Sequence, residues 1–104
     1  MEWFQIVAAG ILEILWAVSL KYSDGFSKLL PSAITLLAMA ASFVFLALAS
    51  KKLPIGTAYA VWTGIGASGT AILGILLFHE PLNFFKVLFL LMIIGGTAGL
   101  KLTA

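Results

Sequence analysis

One acid stands out in the stretch GILEILWAVSLK, residues 10 to 21. Glu13 lies within an apolar run that ends at Lys21. A carboxylate at the centre of a membrane helix costs roughly 2.5 to 3.5 kcal/mol on insertion scales, so it must face protein or water. Such an acid reads by default as a site for a proton or a cation. The competing reading is a protonated Glu bonded between helices, although Ser, Thr or Asn would do that work at lower cost.

Helical spacing sets Ala9 and Gly10 one turn before Glu13, and Trp16 and Ala17 one turn after it. Small neighbours leave room for a solute, and an indole face attracts a cation in a desolvated site. Trp3 suits an interfacial anchor, whereas Trp16 lies too deep for that role. Farther along, TAYAVWTGIGASGT places Tyr59, Trp62, Thr63, Gly66 and Thr70 at steps of three or four. That face is aromatic and polar, either a stacking and hydrogen-bonding surface beside the acid or an aromatic packing ridge. Ser42 is the most central polar residue of its own apolar window. It can orient Glu13 or bond back to its own helix.

The elements that must hold these residues follow from composition. The 104 residues are 62% hydrophobic and 10% charged, with a mean hydropathy of +1.17, far from soluble proteins, where about a quarter of residues are charged. We expect an all-α membrane protein with four transmembrane helices in one domain, residues 1–104. The windows run from about 3 to 20, 29 to 50, 54 to 78 and 82 to 100. Pro31, Pro54 and Pro81 fall near the starts of the second, third and fourth, where a missing N–H costs least. The first window opens with Glu2 and has no basic residue before its apolar core, so it reads as a retained span and not a cleaved signal.

Other chemistries lack their parts. Six lysines and four acids are too few and too scattered for a nucleic-acid surface. The absence of cysteine removes thiolate metal sites and Cys nucleophiles. His79, the single histidine, sits beside Glu80 in a short joint and reads as a solvated residue. Neither a nucleophile, base and orienter set nor a phosphate-cradling glycine loop is visible, so no enzyme and no cofactor is expected.

Charge does not orient the bundle. If the chain crosses at every window, Lys51, Lys52 and Lys101 share the side of both termini, and Lys21, Lys28 and Lys86 lie on the other. A flat tally leaves two readings: residues near the first helix decide, or the chain inserts both ways. Transporters commonly build a midplane site between inverted repeats, and four helices without an internal repeat cannot supply both halves. An antiparallel homodimer of oppositely inserted copies would. Gly95 and Gly99, four apart in the last window, are candidates for the close helix contact this needs, alongside ordinary packing within one chain.

Taken together, the sequence resembles the small multidrug resistance family, and more closely its guanidinium-exporter subgroup. The resemblance rests on GILEILWAVSLKYSDGF, on LPIGTAYAVWTGIGA, on EPL at residues 80 to 82 and on GLK at residues 99 to 101. It implies a bacterial inner-membrane, dual-topology homodimer acting as a proton-coupled antiporter. Glu13 would be the shared proton and substrate site, lined by Trp16, Ser42, Tyr59 and Trp62, with Gly10 leaving room beside the acid. By the same resemblance Gly64 and Gly66 form a bend in the third helix, and the fourth helix makes the dimer contact. Trp16 and Ala17 resemble the guanidinium subgroup. A planar cation with paired N–H donors suits carboxylates and aromatic faces. The alternatives are export of quaternary ammonium or other hydrophobic cations, and a non-transporting structural membrane subunit.

Overall fold

The computed structural model describes residues 2–103. Four α-helices account for most of them: α1 (Glu2–Tyr22), α2 (Leu29–Ala49), α3 (Ile55–Phe78) and α4 (Phe84–Thr103). Each is long and apolar enough to cross a bilayer, where hydrocarbon offers the backbone no partners and a helix satisfies its own N–H and C=O groups. The chain is therefore a multi-pass, all-α membrane protein.

The helix ends have local causes. After α1, Ser23 donates from Oγ to the Leu20 carbonyl at 2.6 Å and accepts the Phe26 N–H at 3.1 Å. Asp24, Gly25 and Phe26 then take positive φ values of 50°, 70° and 66°, reversing the chain. Pro31 lies in the first turn of α2 and Pro54 caps α3, positions where the missing donor is not needed. The last helix opens at Phe84, not at Leu82, because Asn83 accepts the Lys86 N–H on its side-chain oxygen at 2.9 Å. Pro81 is thus left in the joint, three residues before the helix.

The helices lie side by side in the order α2, α1, α3, α4, with a minor α2 to α3 contact. The resulting slab measures 39 × 35 × 16 Å. Its thin dimension is little more than one helix diameter, about 10 to 12 Å. Ile6 and Ala9 of α1, Ala49 of α2, and Ala58, Val61 and Trp62 of α3 form a buried cluster. This cluster lies toward the slab end that carries the α1 N-terminus. By contrast, α4 has no buried residue and packs chiefly on α3.

Candidate functional site

Glu13 is the twelfth residue of the 21 in α1, and Gly66 the twelfth of the 24 in α3. The two meet between the helices. A Cβ placed on Gly66 would overlap the Glu13 carboxyl group, so only glycine lets the acid lie against the α3 backbone. Glu13 Oε1 is buried there and has no hydrogen-bond partner among the described residues. Trp16 Nε1, Thr63 Oγ1, Ser68 Oγ and Thr70 Oγ1 share that condition. All five atoms belong to the middle of α1 and α3. Each buried polar group without a partner costs about 1 to 3 kcal/mol, and Ser68 lines a recess toward α4 together with Gly64 and Thr97, away from the acid.

A bonded network borders that cluster. Trp62 donates from Nε1 to Ser42 Oγ at 3.0 Å, and Ser42 donates onward to the Ala9 carbonyl at 2.7 Å. Three helices are thereby tied together: α3 to α2 to α1. Trp62 carries an aromatic edge on either side, Tyr59 at 5.5 Å and Phe43 at 5.7 Å between ring centroids. Trp62 is buried, whereas Tyr59 is 56% exposed and presents an aromatic surface outside the single chain.

Two sequence expectations change in this light. Ser42 neither orients Glu13 nor bonds back within α2; the nearest acceptor along its line is the Ala9 carbonyl, leaving its oxygen to receive Trp62. Gly10 does not leave space beside the acid in this structure, because the Ile65 side chain fills the place of its missing Cβ. The room for the carboxyl comes from Gly66 instead. Along α3, Gly64 admits Thr97 of α4, Gly69 admits Ile14 of α1, and Gly74 admits Glu80. The helix is continuous through Gly64 and Gly66, so both act here as contact points. Gly95 and Gly99 face open space.

Several participants escaped the sequence reading. Phe43, next to Ser42, belongs to the aromatic cluster but carries no polar signal among many apolar neighbours. The Ala9 carbonyl is invisible to any reading of side chains. Trp3, expected as an interfacial anchor, lies 5.4 Å from the Lys101 ammonium, measured to the ring centroid.

Comparison with known proteins finds close relatives of this sequence. The family model for the Small Multidrug Resistance protein matches residues 1–93. The chain is 60% identical over 104 residues to the guanidinium exporter of Yersinia pseudotuberculosis, covering 100% of each chain. It is 55% identical over 103 residues to the guanidinium exporter of Escherichia coli strain K12, covering 99% of this chain and 98% of that one. The guanidinium exporter of Salmonella typhimurium strain LT2 is 54% identical over 104 residues, covering 100% of this chain and 99% of the relative.

Proposed function

The chain belongs to the small multidrug resistance family, and on that premise we propose that it is a proton-coupled antiporter exporting guanidinium and small substituted guanidinium cations. It is a transporter and not an enzyme on this reading, and it works in a bacterial inner membrane. The observation that carries the proposal is the Glu13 carboxyl, buried at mid-helix against Gly66 with Oε1 unpartnered. A buried acceptor of this kind takes either a proton or the N–H donors of a cation. Binding one excludes the other, and that competition is the coupling.

Around the acid, Trp16 and Trp62 supply flat π surfaces for a planar cation, and Tyr59 extends that surface outward. Ser42 holds Trp62 in place through the bond to its indole nitrogen. The functional unit is an antiparallel homodimer of oppositely inserted copies. A slab 16 Å thick whose α4 buries no residue cannot enclose a midplane site alone, and a second inverted copy creates the inverted repeat that alternating access needs. The balanced lysines are compatible with insertion both ways. Gly95 and Gly99 are the positions at which α4 meets its counterpart, and Gly64 and Gly66 lie where α3 flexes as the copies rock.

Guanidinium-driven proton flux in proteoliposomes tests this reading. The wild type should exchange, Glu13→Gln should fall to background, and apparent guanidinium affinity should weaken as pH drops because protons occupy the same oxygens. Coupled flux persisting in Glu13→Gln removes the site. Tetraethylammonium competing better than guanidinium would move the substrate to quaternary ammonium ions, which offer no N–H donors.

A further inference from the structure

Above the acid, the interface between α1 and α3 repeats every four residues: Glu13, Ala17 and Lys21 on one helix, Gly66, Thr70 and Gly74 on the other. Between Ala17 and Lys21 on one wall and Thr70 and Gly74 on the other lies a partly open crevice of about 90 Å³, lined also by Val18, Phe78 and Glu80. Glu80 belongs to the joint after α3, yet it folds back over that helix: a Cβ on Gly74 would start 2.7 Å from Glu80 Oε1. Thr70 Oγ1 is buried and lacks a hydrogen-bond partner among the described residues. Farther out, Ala17 and Lys21 also line a recess of about 410 Å³ together with Asp24.

The geometry points to a dedicated proton path through the α1 and α3 interface, running from Glu13 past the Thr70 hydroxyl to Glu80 at the membrane surface. This inference rests on the antiport reading and adds a route for its proton. Four residues of helix rise separate Gly66 from Thr70 by about 6 Å, the span of two hydrogen bonds of about 2.8 Å joined by one water. A volume of about 90 Å³ holds about three waters at roughly 30 Å³ each, and the lining supplies the two to four polar partners that a buried water requires. A proton leaving the Glu13 carboxyl passes to the first water, along the chain by Thr70, and onto the Glu80 carboxylate or into bulk. Return is the reverse.

An organic cation is excluded from this path. The Lys21 ammonium lines the crevice and repels a second fixed positive charge there. Lys86 of α4 faces Glu80 at 3.9 Å from Oε1; of the other titratable groups nearby, Asp24 borders the outer recess and His79 precedes Glu80 in the chain. Protons and guanidinium would therefore reach the same acid by different doors.

Two measurements on the reconstituted full-length protein decide the matter: equilibrium guanidinium binding by calorimetry, and proton release after rapid guanidinium mixing, followed with a pH-sensitive dye across pH. Thr70→Val and Glu80→Gln should each slow proton release about tenfold and flatten its pH dependence, as loss of a positioned proton carrier does. Guanidinium affinity should change less than twofold, with Thr70→Ser and Glu80→Asp restoring the rate. Wild-type proton release in both Thr70→Val and Glu80→Gln overturns the path. Should Thr70→Val lose guanidinium binding through misfolding, Glu80→Gln decides alone, since Glu80 is exposed on a joint. Failure of Glu13→Gln to abolish exchange counts against the antiport reading and leaves this readout separate.

Discussion

Gly66 shows how much one absent side chain can decide. Its missing Cβ is where the Glu13 carboxyl lies, so Gly66→Ala should push the acid out of position. Misplacing a reacting group by about 1 Å can cost on the order of a hundredfold, so guanidinium binding should weaken by tenfold to about a hundredfold. Gly56→Ala is the matched control, because nothing lies within 4 Å of a Cβ there. Calorimetric titration of both variants checks the contrast, and equal affinities would detach Gly66 from the site. Ser42→Ala tests the neighbouring network. It strands Trp62 Nε1, while the Ala9 carbonyl keeps its partner within α1, so stability in detergent should drop by about 1 to 3 kcal/mol with a shift in indole fluorescence. The importance of Glu13 was legible from its place in an apolar run. Its partner was not, since glycines at positions 64, 66, 69 and 74 look alike in sequence and differ only in what each one faces.

At the scale of elements, α3 is the hub and α4 the outlier. Gly64 joins α3 to Thr97, while Gly66 and Gly69 join it to Glu13 and Ile14, so one helix uses different glycines toward two neighbours. On α4, a Cβ on Gly95, Gly96 or Gly99 would meet nothing within 4 Å among the described residues. Gly99→Leu should accordingly leave the helical content unchanged and weaken self-association by about tenfold, equivalent to 1.4 kcal/mol. Sedimentation or single-molecule dimerisation measured in lipid checks it, and an undiminished dimer would place the contact elsewhere. The four windows were visible as apolar runs of spanning length, and their ends moved by up to three residues, some for local reasons. Asn83 capping α4 is one. The end of α3 stayed at Phe78, where the left-handed His79, φ 55°, stops the helix.

For the whole molecule, the decisive facts are a thin slab and an even charge tally. Removing Lys51 and Lys52 from the termini side leaves Lys101 there against Lys21, Lys28 and Lys86 opposite. The double variant Lys51→Ala, Lys52→Ala should then insert mainly with the Lys21 side facing the cytoplasm. Cysteine-labelling of a terminal tag from each side would read the shift. If both orientations are needed for one dimer, transport should fall with the loss of the minor orientation and return when an oppositely biased variant is coexpressed. An unaltered orientation ratio would separate topology from lysine count.

Sequence alone determined the solvent and the element type, because hydrocarbon permits a spanning chain of this composition little besides the helix. It also singled out Glu13, since a charge in oil is conspicuous whatever surrounds it. Only tertiary structure decided which helix presses on which. Side-chain hydrogen bonds such as that of Ser42 choose among acceptors close in space, and a glycine matters according to the atom that arrives beside it. Both depend on distances between helices that no periodicity along one helix encodes.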